Sequence, residues 1–364
     1  MADEEKAANK TARTNNAGME KPPWLSVVVI GRNEERRLPA LFESLPRGDD
    51  IEWIYVDSDS ADRSAAIASQ YGARVYVVES DSVYAPGTGR YIGTGEAEGR
   101  WILYLDGDMV FRPEFDNFLD RLKAAEQSWR QASSAGDLPG EPGPAALPGD
   151  TAGFVGRTCN RYLDERGSVI ATRDCVALPG KVMGAAKSWG RPAGYHGGAV
   201  LYRRDRVLEA GSWNPAVLQL EEIDLYSRVR ARGGTLRAVD LPMADHYTPY
   251  LTLSDKFKLN FLSRWRGKNL YGAGQVVAAR AREGTLLQFI RAYPYPFIVL
   301  GGLLTAPLFY LLWPPLPLLT NAAIAVWLGL TGKWYYYLVY LGNLFQVFRG
   351  LGRYRPFVPG YRKF

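Results

Sequence analysis

The front of the chain alternates between short apolar runs and helix-like stretches. Leu25-Ser26-Val27-Val28-Val29-Ile30 is a β-branched run bounded by Gly31, too short for a helix, and it predicts a buried parallel strand. Residues 34–45 have helical spacing, and residues 51–56 predict a second strand ending at Asp57. Ser60 or Asp62 is placed to cap a following helix that runs to Tyr71. Residues 74–78 and 101–105 predict two more strands, the latter ending at Asp106. Strands and helices at this interval predict a doubly wound α/β sheet. Ligands of such sheets sit beyond the carboxyl ends of the strands. Arg32, Asp57 and Asp106 all fall just past strand ends, so one crevice is expected to hold them.

Hydropathy changes character further on. Residues 132–150 are rich in Gly, Pro, Ala and Ser and predict a flexible surface insertion. Residues 292–332 carry no charge over 41 positions. One bilayer crossing takes about 20 apolar residues, so this stretch predicts two, broken at Pro314-Pro315 and edged by Trp313, Trp327 and Trp334. Residues 334–348 are uncharged and aromatic, as suits a helix lying in the interface.

Composition narrows the function. At 364 residues and 47% hydrophobic, the chain can build a large core. The net charge is +6, and beyond Glu283 there is no acidic residue, while Arg291, Lys333, Arg349, Arg353, Arg355, Arg362 and Lys363 remain. A basic tail beside apolar segments fits anionic membrane lipids, and two crossings would return it to the side of the folded domain, the cytosol. No basic motif with interleaved aromatics suggests a nucleic-acid partner. Two cysteines, Cys159 and Cys175, and two histidines, His196 and His246, have no zinc-site spacing, and buried thiols are expected rather than a disulfide. The polar N-terminus lacks the apolar core of a signal peptide and is expected to be a disordered lead-in.

Acidic residues carry the candidate chemistry. Asp106-Gly107-Asp108 puts two carboxylates one residue apart at a strand end, where they could share Mg²⁺ or Mn²⁺ with substrate phosphates; a solvated acidic turn would look the same. Asp57 and Asp59, in Asp57-Ser58-Asp59-Ser60-Ala61-Asp62, could accept hydrogen bonds from a base or a ribose. Arg90, in Gly87-Thr88-Gly89-Arg90, is a candidate phosphate cation, although these glycines form neither a dinucleotide fingerprint nor a P-loop. In Glu221-Glu222-Ile223-Asp224-Leu225 a carboxylate could act as general base, whereas Asp224 and Arg228 have the spacing of a helical ion pair. His246 is either a third metal ligand or an ordinary half-buried histidine.

Four segments in order are similar to the family 2 glycosyltransferases: Ser26-Val27-Val28-Val29-Ile30-Gly31-Arg32-Asn33-Glu34, Val56-Asp57-Ser58-Asp59-Ser60, Leu105-Asp106-Gly107-Asp108 and Glu221-Glu222-Ile223-Asp224-Leu225. The likeness spans residues 25–247 and implies a GT-A fold and an inverting reaction on a UDP- or GDP-sugar. By it Asp57 would recognise the nucleotide, and Asp106 with Asp108 would hold the ribose, the metal and the diphosphate. With Arg32, Asn33, Glu34, Asp59 and Arg90 they make up the expected donor site, and His246 is the candidate third metal ligand. Gly197-Gly198 resembles the family's acceptor-side glycine pair. The catalytic base would be Glu222, with Glu221 and Asp224 as alternates. Processive members carry Gln-x-x-Arg-Trp; this chain has Phe261-Leu262-Ser263-Arg264-Trp265, which loses the Gln and suits transfer of a single sugar. Arg264 and Trp265 either border the acceptor or are part of a basic run, Lys256 to Lys268, that rests on lipid headgroups.

The expected plan is a lead-in over 1–22, a GT-A-like domain over 23–255, basic interfacial helices over 256–291, two membrane helices over 292–332, and an interfacial helix with a basic tail over 333–364. The expected function is transfer of one sugar to a lipid-linked or saccharide acceptor at the cytosolic face of the inner membrane. Two alternatives remain: a silent nucleotide-sugar-binding scaffold, and a membrane-linked nucleotidyltransferase, for which Gly31-Arg32-Asn33-Glu34 is a poor loop.

Overall fold

A computed structural model describes residues 22–79, 84–134, 147–175, 191–192, 198–252, 272–292, 297 and 350–364. The expected parallel strands form at β1 (Leu25–Gly31), β2 (Ile51–Asp57), β3 (Arg74–Val78) and β4 (Trp101–Asp106). Their apolar runs are buried on both faces, which is why they read as continuous stretches without alternation. Helix α1 (Leu38–Ser44) starts later than residue 34. Asn33 has φ 59°, and the N–H groups of Asn33 and Glu34 bind Ser60 Oγ and Ser64 Oγ, each at 2.8 Å. The first turn is therefore tied to the neighbouring loop instead of winding as helix. Asp62 accepts the Ser64 N–H as α2 (Ser64–Gln70) begins.

The rest of the sheet was not legible from hydropathy. It comprises β5 (Met109–Phe111), β6 (Thr151–Leu163), β7 (Val169–Cys175), β8 (Arg191–Pro192), β9 (Val200–Arg203), β10 (Thr235–Pro249) and β11 (Tyr361–Lys363). The order is β11-β3-β2-β1-β4-β9-β6-β10-β5, with β7 beside β6 and β8 beside β10. Strands β3, β2, β1 and β4 run parallel; β9 is antiparallel to β4 and β6, and β10 runs parallel to β6, so the sheet is mixed.

Helices cover both faces. On one side α1, α2 and α4 (Pro113–Ser134) pack over Leu25, Val27, Val29 and Leu103; on the other, α3 (Pro86–Glu96), α5 (Arg204–Glu209) and α6 (Glu221–Ala231) pack over Val28, Ile30 and Ile102. Helix α3 lies very close to β1. A Cβ at Gly93 would fall 2.3 Å from Val28 Cγ1, and one at Gly89 would fall 2.9 Å from Ile30 Cγ2. Gly89 and Gly93 thus serve helix–sheet packing.

Residues 272–292, expected as part of an interfacial region, pack on the sheet domain. Helix α7 (Gly272–Arg282) and helix α8 (Leu286–Ala292) bury Val276, Val277 and Phe289 against Val217 and Ile223 of the α6 region. The tail returns as well, since β11 pairs antiparallel with β3 and Tyr354 is buried beside Ala278 and Ala279. Among the described residues no helix is long and apolar enough to cross a membrane. The expected crossings but for residues 292 and 297, the helix at 334–348, most of the 132–150 insertion and all of residues 253–271 lie outside the described residues.

Candidate active site

Parallel register sets one edge of the crevice. Ile30 pairs with Asp106 and Gly31 with Asp57, so the β1 loop and both acids emerge at one end of the sheet, as the strand pattern implied. Asp57 is only 1% exposed. Its Oδ1 accepts the Ser60 N–H at 2.6 Å, and the Tyr55 hydroxyl lies within reach of the same buried carboxylate. Burial pushes its carboxyl above the usual range. Asp59, at φ 59°, accepts the Tyr84 hydroxyl at 2.7 Å, and Arg32 lies 4.7 Å over the Tyr84 ring. Asn33 Oδ1 holds the Ala61 N–H at 2.8 Å, so its side chain fastens the two loops together.

Asp106 and Asp108 do different things. Asp106 Oδ1 receives Arg90 Nη2 at 2.8 Å, whereas Asp108 Oδ2 lies 3.1 Å from His246 Nε2. The other His246 nitrogen, Nδ1, lies 3.2 Å from Asn160 Oδ1, so the imidazole is held at both ends. His246 and Asn160 are register partners on β10 and β6, and the preceding Asp245 is clamped by Arg161 at 3.0 Å and Arg112 at 3.4 Å. Burial works against a charged His246, but the hydrogen bond and charge of Asp108 outweigh it and raise the pKa above the usual value.

Glu34 forms the floor. A Cβ on Gly107 would meet its Cγ at 2.8 Å. Burial, then the charge of Asp108, push its carboxyl up to about 7, against the opposing field of Arg37. Gly198 adopts φ 77°, and a Cβ there would lie 2.5 Å from Met109 Cε and 3.4 Å from Asp106 Oδ2. Gly198 therefore lies against the acidic turn. Gly197, Arg264 and Trp265 lie outside the described residues.

Arg90 is not the open phosphate cation the sequence suggested. It is 2% exposed, and besides Asp106 it binds Glu221 at 2.9 Å and Glu222 at 3.6 Å. This one side chain joins the end of β4 to the start of α6. A Leu220 backbone at φ 66° turns the chain into that helix, placing Glu221 and Glu222 in its first turn. Their side chains differ in exposure, 5% for Glu221 and 22% for Glu222. Asp224 faces the other way: it is fully buried and takes Arg228 at 2.8 Å and Arg280 of α7 at 2.9 Å. As the acid that ties α6 to α7, it has no exposed oxygen for a substrate, which corrects its place among the alternate bases.

Burial, then the charge of Glu222, push Glu221 up to about 8, although Arg90 opposes the shift. Its folded pKa lies above the ordinary 4.5, so the folded state keeps a proton that the unfolded chain has lost. Glu221 therefore stabilises the fold fully below that ordinary value, and the contribution disappears as pH rises through about 8. Melting measured at about pH 5 and about pH 8.5 should show a smaller decline for Glu221→Gln than for the wild-type protein.

Among the described residues no three His, Cys, Asp or Glu side chains form a metal cluster on their own. The Asp108–His246 pair nevertheless suits a dication that completes its shell with phosphate oxygens. Asp108 Oδ1 is a buried acceptor without a partner. The 3.1 Å between Nε2 and Oδ2 also matches the ~3 Å between adjacent ligands of an octahedral Mg²⁺ or Mn²⁺. Sequence reasoning missed Asn160, Tyr84, Arg37 and Tyr247. Each enters through a contact between distant segments, and none sits in a motif.

Comparison with known proteins gives partial matches. The chain is 36% identical over 95 residues to 4,4'-diaponeurosporenoate glycosyltransferase of Staphylococcus haemolyticus, covering 25% of each. It is 33% identical over 115 residues to the succinoglycan biosynthesis protein ExoO of Rhizobium meliloti, covering 30% of this chain and 33% of that one. The chain thus spans a quarter to a third of the length of these relatives. Among solved structures, the mannosyltransferase PcManGT from Pyrobaculum calidifontis in complex with GDP-Man and Mn²⁺ aligns over 95% of this chain and 94% of that one, at 14% identity and a TM-score of 0.49. Residues 26–129, the stretch that holds Asp57, Arg90, Asp106 and Asp108, match the model of glycosyl transferase family 2.

Proposed function

We propose that the protein is an inverting glycosyltransferase that moves one sugar from a UDP- or GDP-sugar to a lipid-linked or saccharide acceptor. The observation that carries this reading is the Arg90 bridge, which joins the strand-end acid Asp106 to the Glu221–Glu222 pair in one crevice. The family match over residues 26–129 supports the donor half of it.

Glu222, the more exposed of the pair, takes the proton of the attacking acceptor hydroxyl. The acceptor oxygen bonds to the anomeric carbon as the bond from that carbon to the diphosphate oxygen breaks. The electron pair leaves with the diphosphate, and configuration inverts. Asp108 and His246, beside Asp106, would hold Mg²⁺ or Mn²⁺, which when bound neutralises charge on the leaving diphosphate. Arg90 holds Glu221 and Asp106 in place, and Asn160 orients His246.

The reading includes a membrane anchor with the domain on the cytosolic face, and two attachments bear on its parity. Helices α7 and α8 precede the uncharged stretch and β11 follows it, and both pack on the same sheet domain. A membrane segment between them would cross an even number of times, as a hairpin does, and leave the basic tail on the domain's side.

The test is to incubate the protein with a panel of UDP- and GDP-sugars and lipid-phosphate or saccharide acceptors, with Mn²⁺, Mg²⁺ or chelator. The expected result is metal-dependent transfer of a single sugar, with the anomeric configuration seen to invert by NMR. Release of a nucleoside monophosphate, or no consumption of any donor, would exclude this reading. The first outcome would indicate transfer of the sugar phosphate to the acceptor, and the second a silent binder or a nucleotidyltransferase that draws on a nucleoside triphosphate instead.

A further inference from the structure

Arg90 is held by three carboxylates, so a side-chain cation that meets a diphosphate must come from elsewhere in the crevice. The loop after β1 supplies one. Arg37, the residue that opens α1, is half-buried with its guanidinium 4.8 Å over the ring of Tyr247. Tyr247 follows His246 on β10, and its N–H donates to the Asp108 carbonyl at 3.0 Å. One aromatic ring therefore seats the cation on the strand that carries His246, where its charge reaches Glu34, a carboxyl that also feels Asp108.

The seat has a chemical consequence. Despite the acids nearby, Arg37 forms no ion pair and no side-chain hydrogen bond with any described residue. A guanidinium resting on a ring face is held by the ring quadrupole while its N–H edge stays available. That edge fits two phosphate oxygens side by side.

We propose that Arg37, seated on Tyr247, grips the diphosphate of the nucleotide donor and of the nucleotide product. This rests on the sugar-transfer reading. Its contribution is a charge-assisted contact, so Arg37→Ala should weaken diphosphate binding by about 10- to 100-fold. Arg37→Lys should restore part of the loss. Tyr247→Leu, which removes the ring, should reproduce some of it, and Tyr247→Phe should not.

The experiment is titration calorimetry on the full chain in detergent with Mn²⁺, using UDP, GDP and the phosphate-free nucleosides uridine and guanosine. Circular dichroism melting confirms that each variant is folded. The expected result is a loss confined to the diphosphate ligands and reduced at high salt. Wild-type affinity in Arg37→Ala, or an equal loss for nucleoside and diphosphate, would overturn the assignment of Arg37 alone. A wild-type protein that binds neither diphosphate would overturn the sugar-transfer reading itself.

Discussion

Replacing Arg90 with alanine is expected to destabilise the protein by about 3–5 kcal/mol, the cost typical of removing one partner from a buried ion pair. The guanidinium is 2% exposed, bonds Asp106 at 2.8 Å and Glu221 at 2.9 Å, and lies 5.0 Å over the Trp213 ring. Without it, three carboxylates would share a crevice with no counter-charge. Glu221 is already pushed up to about 8 with the cation present, so its proton would be held more tightly still. The deficit should therefore grow as pH rises, and denaturant unfolding at about pH 6 and about pH 8.5 would show this. Arg90→Lys should recover only part, because an ammonium cannot reach Asp106 and Glu221 together as the planar fork does. A loss under about 1 kcal/mol that ignores pH would mean that the bridge is not a structural element.

Substitution of Glu222 by glutamine should reduce sugar transfer by about 10²- to 10⁴-fold, the usual contribution of a general base. Nucleoside diphosphate affinity should stay close to that of the wild type, because Glu222 acts on the acceptor. The neighbouring acids should behave differently. Asp224→Asn should appear first as lost stability, since Asp224 is fully buried and joins Arg228 to Arg280 of α7. Glu221→Gln should keep most of the transfer activity, because Glu221 acts through Arg90. Full activity in Glu222→Gln would assign the base elsewhere.

The donor half was legible because its signals are local. The runs ending at Gly31, Asp57 and Asp106 are buried on both faces, and each strand announces itself without reference to its partner. The second half is different. Strand β10 carries Asp240, Pro242 and Asp245 and has bulges against β6, so its sequence shows no period that hydropathy can detect. The side-chain contacts that complete the site link distant residues: His246 with Asp108 and Asn160, Arg37 with Tyr247, Asp224 with Arg280. Residue type fixed the candidates for Arg90 but not its environment. A basic residue upstream of an acidic strand end reads as a phosphate cation, yet here Gly89 and Gly93 admit β1 side chains and the arginine is enclosed by acids.

The most direct measurement is the affinity of UDP and GDP by calorimetry, with Mn²⁺ and then with EDTA, for the wild type and Asp108→Ala. If Asp108 and His246 take a dication that bridges to the diphosphate, chelation should weaken wild-type binding by more than about tenfold, given the several kcal/mol such an ion supplies. Asp108→Ala should bind weakly in both conditions and show no response to EDTA. Equal wild-type affinity with and without the metal would contradict the account.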